Sequence, residues 1–278
     1  MYESYLTNGK QLSFDKAQVM AIVNLTPDSF YDGGKFSSVS DVLKDAEMKI
    51  MEGASIIDIG AVSSRPGAAE VSAEEEIARL REPLRELRAH FPHTFISVDT
   101  FRSEVAEFAI STGADIINDI SGGEIDALML TVVAKHQVPY ILMHMQGTPQ
   151  TMQHNPHYKH VVEDVTNFFK MKIEICKNLG FDKLILDAGF GFGKTTEQNY
   201  LLLKHLYAIA DLGFPLLSGV SRKSMISQVL HTSPVTALTG TIVLNTLALQ
   251  NGSKILRVHD VKEAKQAIEI VEYYNAVK

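Results

Sequence analysis

The sequence predicts an α/β fold, a single-domain (β/α)8 TIM barrel, and three observations lead to it. Eight short apolar runs rich in β-branched residues alternate in strict order with longer amphipathic stretches. The runs show no polar alternation, which is typical of strands covered on both faces in a parallel sheet. The chain has 278 residues, slightly more than the ~250 of a typical barrel of this kind. An open, doubly wound sheet remains an alternative, because counting strands does not show that the sheet closes.

The expected strands are placed by their continuous Val, Ile and Leu content. They cover residues 20–24, 55–60, 95–99, 115–118, 140–144, 184–187, 215–221 and 255–258. Successive strand ends are 19 to 43 residues apart. Each interval therefore has room for a crossover of at least ~10–12 residues, as parallel neighbours require.

Helical patterns fill these intervals. Ser72 and Glu75 have the spacing of a capping box, and apolar residues then recur at helical spacing through Leu87. The acidic run after Ser72 needs no functional explanation, because negative charge favours a helix N-terminus. The other expected helices cover residues 40–51, 103–112, 126–136, 160–179, 196–211, 236–250 and 261–274.

No linker or low-complexity tract marks a second domain. We expect residues 1–17 to be an N-terminal segment that leads into a barrel domain of residues 18–278.

Composition excludes several functional classes. Lys and Arg total 26 against 33 Asp and Glu, a net charge of −7, which argues against a nucleic-acid binder with a broad basic face. The single Cys176 excludes an intrachain disulfide framework and suits a reducing compartment. The first 20 residues lack the apolar core of a signal peptide, and no apolar run approaches the ~20 residues of a membrane helix. We therefore expect a soluble, cytoplasmic protein with no membrane partner.

Polar side chains gather at or just past the carboxyl ends of the expected strands, the face on which barrel enzymes carry their chemistry. Any single one could be a helix cap or a turn former. Their recurrence at nearly every strand indicates a site. These residues are Asn24, Asp58, Asp99, Asn118, Asp119, His144, Asp187, Lys223, Arg257 and His259.

Two loops at this face carry glycines. Residues 24–34 are polar and Gly-rich around Phe30, which is typical of a loop that covers a ligand. Residues 187–195 resemble a phosphate loop, but Ala188 stands where the P-loop pattern needs glycine. Lys194 likewise occupies the third glycine position of the dinucleotide motif. Nucleotide binding by either motif is excluded, and a carboxylate, close-approach glycines and two aromatic residues remain.

A third loop is basic. Arg222 and Lys223 stand where a strand passes into a helix, and two cations there oppose the helix dipole. A bound anion would relieve that conflict, and Arg257 and His259 on the next strand are also basic. Barrels often hold phosphate after their last two strands.

Two other patterns are interpreted as structural. His154, His157 and His160 are interrupted by Pro156 and lack a carboxylate partner pattern, so they indicate a solvated loop. Met143 and Met145, which flank His144, are interpreted as packing residues and not as redox groups.

Eight segments together resemble the dihydropteroate synthase family of pterin-binding enzymes. They are residues 24–30, 63–67, 97–100, 117–119, 142–145, 187–195, 221–224 and 257–259. The resemblance keeps the family's motif order from about residue 18 to the end of the chain.

The resemblance implies a (β/α)8 barrel, usually a homodimer, that acts as a transferase. It would join 6-hydroxymethyl-7,8-dihydropterin diphosphate to 4-aminobenzoate, giving 7,8-dihydropteroate and pyrophosphate in folate biosynthesis. Sulfonamides block this step by mimicking aminobenzoate. The partners would be these small-molecule substrates, with no nucleic acid.

The family motifs also imply roles for individual residues. Asp99, Asn118, Asp187 and Lys223 would hold the pterin. The diphosphate would be held by Asn24, Ser64, Arg65, Arg257, His259 and the backbone of Val258, with Asn24 also a ligand of Mg²⁺. The aminobenzoate pocket would be bordered by Phe30, Pro66, Phe192 and Ser224, and Met143 is placed among the substrate-binding residues.

Our mechanistic hypothesis is a dissociative, SN1-like displacement at the exocyclic CH₂. Its charges would be stabilised by the catalytic group Asp99, Asp187, Lys223, Arg257 and His259. No covalent enzyme nucleophile is required.

The chain departs from the family pattern at two places. Val62 and Ser64 replace the Glu and Thr of the second loop, and Ser64 keeps the hydroxyl donor. Ala188 replaces a proline, which frees φ and could loosen the loop after Asp187.

Three alternatives stay open at this point. They are a pterin-binding methyltransferase, a Schiff-base aldolase using Lys223, and a pterin-binding protein without activity.

Overall fold

The computed structural model describes residues 4–25, 38–63, 71–152 and 156–277, and eight of its strands close into a parallel barrel. The strands are β1 (Ser4–Thr7), β2 (Lys10–Ser13), β3 (Gln18–Asn24), β4 (Ile56–Gly60), β5 (Phe95–Asp99), β6 (Ile116–Asp119), β7 (Tyr140–Met143), β8 (Leu184–Asp187), β9 (Leu216–Ser218) and β10 (Ile255–Val258). Strand β10 pairs with both β9 and β3, which closes the sheet. The predicted barrel is confirmed, and the open sheet is excluded.

Helices surround the barrel and follow the predicted order. They are α1 (Val39–Met51), α2 (Ala73–His90), α3 (Ser103–Thr112), α4 (Met129–His136), α5 (Val161–Asn178), α6 (Thr196–Lys204), α7 (Tyr207–Ala210), α8 (Ser224–Leu230), α9 (Leu238–Gln250) and α10 (Val261–Ala276). The Ser72 half of the predicted capping box is present, because the Ser72 hydroxyl accepts a hydrogen bond from the Glu75 N–H at 3.2 Å. The Glu75 carboxylate instead pairs with Arg79 at 2.6 Å. The single helix expected over residues 196–211 is two helices, α6 and α7, which break at His205 and Leu206.

The N-terminal segment forms an antiparallel hairpin, β1–β2, which the sequence analysis did not predict. Tyr5, Leu12 and Phe14 are buried in one apolar cluster with residues from seven barrel strands, including Met20 and Ile56. The Tyr5 hydroxyl donates to the Leu184 carbonyl at 2.6 Å. The hairpin therefore covers the amino-terminal end of the barrel, away from the predicted site.

A buried carboxylate fixes the hairpin to this end. Asp115 has no exposed side-chain surface and accepts hydrogen bonds from Lys10 at 2.6 Å and Arg88 at 2.5 Å. The Asn8 side chain and the Ile96 N–H also donate to it, each at 2.9 Å. Buried charges persist when they are paired and hydrogen-bonded in this way.

A larger apolar core lies between the strands and the helices. Within the described parts of the chain, every helix is too short or too polar to cross a bilayer.

Candidate active site

The strand register brings the predicted residues to one end of the barrel. Asp99 pairs with Gly60 on one side and with Asn118 on the other, and Asp187 pairs with Met143. Asn24 pairs with the other side of Gly60. Because the strands are parallel and the barrel is closed, these carboxyl-terminal positions share one rim.

Arg257 is the hub of the rim. Its Nε donates to Asp58 Oδ2 at 2.7 Å, and its Nη2 donates to Asp99 Oδ2 at 2.8 Å. The Asn118 side-chain amide donates to the same Asp58 oxygen at 3.2 Å. Four of the predicted polar residues, from four strands, thus form one hydrogen-bonded group.

Asp58 is a site residue that the sequence analysis did not assign a role. Its side chain is buried with 1% of its surface exposed, and among the described residues its second oxygen, Oδ1, has no hydrogen-bond partner. The available signal was its position, a carboxylate inside the apolar run of β4. A charge buried there requires a cation from elsewhere in the fold.

Burial and neighbouring charges shift the pKa values of the rim. Burial raises the pKa of Asp99 to about 7, Arg257 opposes that rise, and the nearby Asp58 adds to it. The pKa of Asp187 is raised by burial against the opposing charge of Lys223. Burial also lowers the pKa of Lys223 to about 8, although Asp187 favours its charged form. The site therefore holds groups that titrate near neutral pH.

Lys223 reaches the loop that follows β8. It is the N-cap residue of α8, and its ammonium donates to the Phe190 carbonyl. The same ammonium lies 4.7 Å from the centre of the Phe192 ring, within the range of a cation–π contact. A Cβ at Gly191 would lie 3.3 Å from the Lys223 side chain, so glycine allows this close approach.

The glycines of the loop after β8 allow its backbone to pack closely against neighbouring segments. Gly189 has a φ of +66°, and a Cβ there would meet the His144 carbonyl oxygen at 1.9 Å. Its N–H donates to the Asp187 carboxylate at 2.8 Å, which orients that side chain. Ala188 is fully buried in the core. The loop is thus fixed by packing and hydrogen bonds although proline is replaced.

Lys194 holds the same loop from within. Its ammonium donates to the carbonyls of Gly189 at 2.9 Å, Phe192 at 3.1 Å and His144 at 3.3 Å. The side chain is almost fully buried, and burial lowers its pKa to about 7. In the sequence, Lys194 is notable only as a residue that breaks a nucleotide motif, so its role in the loop is not predicted.

The sequence predicts that a bound anion balances both Arg222 and Lys223 at the start of the helix. This prediction is wrong for Arg222. Its Nε and Nη2 donate to Asp260 at 2.8 and 2.7 Å, so its charge is balanced within the chain. Only Lys223 of the pair is directed to the β8 loop. The need for an external anion at this helix start is correspondingly smaller.

The remaining predicted residues lie around this group. Asn24 and His259 are half-buried, and Ser224 is exposed at the start of α8. The Val258 side chain is fully buried, so only its backbone can meet a ligand. Met143 is 2% exposed beneath Gly189, in agreement with its interpretation as a packing residue.

Several predicted residues fall outside the described ranges. They are Phe30, Ser64, Arg65, Pro66 and His154. His157 and His160 are exposed. Over the ranges that the structure describes, no three His, Cys, Asp or Glu side chains form a metal-binding cluster.

Comparisons with known proteins agree with this geometry. A family model described as pterin binding enzyme matches residues 20–259. The chain is 45% identical over 267 residues to the dihydropteroate synthase of Escherichia coli strain K12, covering 95% of this chain and 94% of that protein. It is 42% identical over 260 residues to the dihydropteroate synthase of Synechocystis sp., covering 92% and 90%.

Solved structures give the same result. The dihydropteroate synthase of Yersinia pestis in a sulfonamide drug complex has a TM-score of 0.94 and 41% identity, over 99% of this chain and 100% of that one. The enzyme of Xanthomonas albilineans with 4-aminobenzoic acid has a TM-score of 0.92 and 38% identity, over 100% of both chains.

Proposed function

This chain belongs to the dihydropteroate synthase family of pterin-binding enzymes, and from that membership we propose how its residues act. It is a transferase of folate biosynthesis that joins 6-hydroxymethyl-7,8-dihydropterin diphosphate to 4-aminobenzoate and releases pyrophosphate. The membership favours the synthase over the methyltransferase and the aldolase. The observation that carries our assignment of roles is the group in which Arg257 joins Asp58 and Asp99 beside Asn118.

The pterin ring is held by Asp99, Asn118, Asp187 and Lys223. Carboxylates accept hydrogen bonds from the ring's amino and N–H groups, whereas the amide and the ammonium donate to its oxygen and nitrogen acceptors. Support comes from the orientation of Asp187 by the Gly189 N–H and of Asn118 by Asp58. Side chains that are already oriented lose less conformational entropy when the ring binds.

The chemical step is a dissociative displacement. The bond between the exocyclic CH₂ and the diphosphate oxygen breaks, and its electron pair leaves with the diphosphate. The positive charge that remains is shared with the pterin ring, where the carboxylates of Asp99 and Asp187 stabilise it. The neutral amine of 4-aminobenzoate then attacks the carbon and loses a proton. In one measured case, a single preorganised hydrogen-bond donor to the transition state is worth ~2.7–4 kcal/mol, and this sets the scale we expect for each of these groups.

The leaving diphosphate is stabilised by cations at the end of β10. Arg257 and His259 supply side chains, Val258 supplies backbone, and Arg65 and Ser64 belong to this set in the family pattern. When Arg257 turns toward the diphosphate, Asp99 loses part of its cation partner and the pterin charge can replace it. The movement of Arg257 thereby couples stabilisation of the diphosphate to stabilisation of the pterin cation.

Mg²⁺ fits this site only as an ion carried largely by the substrate. Asn24 offers one amide oxygen at the end of β3, and Mg²⁺ accepts such a ligand while keeping water and phosphate oxygens. The described residues supply no carboxylate cluster for a fully protein-bound ion. Bound there, Mg²⁺ would neutralise charge on the leaving group.

The aminobenzoate lies between Phe192 and Ser224, and in the family pattern Phe30 and Pro66 belong to the same set. Lys223 connects the two sides, because it contacts Phe192 and directly precedes Ser224. The Yersinia pestis relative was solved in a sulfonamide complex. Because we propose a similar pocket in this chain, we expect sulfonamides to compete with 4-aminobenzoate for it.

A homodimer is supported by exposed apolar side chains on α8, α9 and α10. They are Val229, Leu230, Val243, Leu247, Ile270 and Tyr273. A monomeric mass in light scattering at micromolar concentration would contradict it.

A cytoplasmic location is supported by the free, buried thiol of Cys176, and cell fractionation tests it.

The deciding experiment is pyrophosphate release from the pterin diphosphate, with and without 4-aminobenzoate and Mg²⁺. We expect release to be fastest when both substrates are present, because 4-aminobenzoate traps the cation that departure of the diphosphate leaves. Lys223→Ala should lower kcat/KM by ~10²–10³-fold, as loss of a preorganised hydrogen-bond donor does. Lys135→Ala, on an exposed helix surface, is the matched control and should keep wild-type kinetics. Substrate binding without release over hours would indicate a binding protein and overturn the assignment.

A further inference from the structure

We propose that Arg222 and Asp260 form a loop clamp that fixes the pterin-binding cation relative to the diphosphate-binding residues. The clamp joins the loop after β9 to the loop after β10. This inference rests on the proposed roles of Lys223 and His259, the sequence neighbours of the two clamp residues. Arg222 and Asp260 are positioning residues, because they act through those neighbours.

The geometry of the ion pair is well suited to holding two loops in register. Arg222 Nε donates to one Asp260 oxygen at 2.8 Å, and Nη2 donates to the other at 2.7 Å. Only 6% and 11% of the two side chains are exposed. A two-pronged pair between a planar guanidinium and a carboxylate fixes both distance and orientation.

The rest of Arg222 is also engaged within the protein. Its Nη1 donates to the carbonyls of Pro234 at 2.8 Å and Val235 at 2.7 Å. Its backbone N–H donates to the Thr241 hydroxyl at 3.0 Å. The guanidinium therefore connects three segments of the chain and is not directed at a substrate.

The backbone at Arg222 separates its side chain from that of Lys223. Arg222 has a φ of +54°, in the left-handed region that a bulky side chain rarely adopts. The turn sends the guanidinium to Asp260 and leaves the Lys223 ammonium on the Phe190 carbonyl. Such a conformation persists only where the surrounding contacts hold it.

A second contact one residue earlier joins the same loops. The His259 N–H donates to the Ser221 hydroxyl at 3.3 Å. Two successive residues of one loop thus contact two successive residues of the other. Any shift of Asp260 would move His259 relative to Lys223, across the substrate bond that breaks. Misplacement of catalytic groups by ~1 Å can cost ~10²-fold in rate.

The test replaces the clamp without leaving a buried charge alone. In the double variant Arg222→Met/Asp260→Leu both charges are absent, and buried ion pairs replaced by apolar residues of similar size usually preserve stability. We expect a thermal midpoint near wild type and a kcat/KM for the pterin diphosphate about 10- to 100-fold lower. The double variant Asp45→Leu/Lys49→Met removes another buried pair, on α1, and should keep wild-type kinetics.

Inorganic pyrophosphate separates positioning from general damage to the loops. It meets only the diphosphate residues, so its inhibition constant should stay within about twofold of wild type, since the misplacement affects only ligands that span both groups. Equal weakening of pyrophosphate and of the pterin diphosphate would overturn the clamp, and so would wild-type kinetics in the double variant.

A single variant keeps the proposal testable if the double variant does not fold. Asp260→Asn keeps the size of the side chain and weakens the pair, and we expect a smaller loss in the same direction. Wild-type kinetics in Asp260→Asn would then reject the clamp. An inactive wild-type enzyme would instead contradict the proposed function, so the two failures are distinguishable.

Discussion

Arg257 of β10 donates to Asp99 of β5 at 2.8 Å, although 158 positions of sequence separate them. The contact places the cation proposed for the diphosphate against a carboxylate proposed for the pterin. Because the two residues share this contact, a change in the charge of one alters the protonation of the other. The pH dependence of the reaction follows from that relationship.

The pH profile of kcat/KM should be bell-shaped, with its limbs near the shifted pKa values. Asp99, with a pKa raised to about 7, takes up a proton as pH falls below 7 and loses the charge that stabilises the pterin cation. Lys223, with a pKa lowered to about 8, loses its proton as pH rises above 8. Steady-state measurement of kcat/KM across pH reports the pKa values of the free enzyme. A flat profile from pH 6 to pH 9 would contradict this assignment.

Arg257→Gln should move the acidic limb to higher pH. The guanidinium lowers the pKa of Asp99, so its removal lets burial raise that pKa further. Arg257→Lys keeps the charge and serves as the control, with a smaller movement of the limb. If the limb of Arg257→Gln stayed in place, Asp99 would not be the group that titrates.

Asp58→Asn should lower both stability and activity. Arg257 and Asn118 share one Asp58 oxygen as acceptor, and weakening it should cost ~1–3 kcal/mol of unfolding free energy. Ser97→Ala is the matched control, since Ser97 pairs with Asp58 in the sheet and among the described atoms its buried hydroxyl has no partner. Urea unfolding and kcat/KM measure the two effects, and equal behaviour of the two variants would remove Asp58 from the site.

Lys194→Met should raise the KM for the substrates. Three carbonyls of the β8 and β7 loops lose their common donor, and buried unsatisfied groups cost ~1–3 kcal/mol. The loop that carries Asp187 and Phe192 then moves. Steady-state kinetics of the variant give KM and kcat separately, and a thermal melt gives its stability. A lower melting temperature with an unchanged KM would show that Lys194 has only a structural role.

Gly189→Ala should be more damaging than a matched glycine change. Gly180 has a φ of +69° but open space around it, so Gly180→Ala reports only the left-handed backbone, ~1–2 kcal/mol. Gly189→Ala adds a collision with the His144 carbonyl and should also lower kcat/KM. Chemical unfolding and kinetics of both variants test this, and similar losses in the two would show that the loop tolerates the methyl group.

Asp115→Ala should affect stability alone. It leaves Lys10 and Arg88 without their buried partner at the amino-terminal end of the barrel, at a cost of ~3–5 kcal/mol. The site lies at the opposite end of the strands. A kcat or KM that departs from wild type in folded enzyme would show that the two ends are coupled.

Residue order alone specifies the repeating strand–helix units and the end of the barrel that carries the site. Continuous apolar runs and helical spacing are local properties, since they depend on which face of each element is buried. Strand ends such as Asp99, Asn118 and Asp187 can therefore be predicted from residue order. The hairpin of residues 4–13 cannot be predicted in this way, because strands this short are stable only when they pack against the barrel.

Which charged side chains pair with one another depends on the folded arrangement of the barrel. Asp58 and Arg257 are 199 positions apart, and they are neighbours because β10 closes the sheet against β3 in one register. The same closure turned Arg222 to Asp260 and left Lys223 to the site. Pairing of buried charges depends on distance and desolvation in the folded chain, and neither quantity can be obtained from residue order.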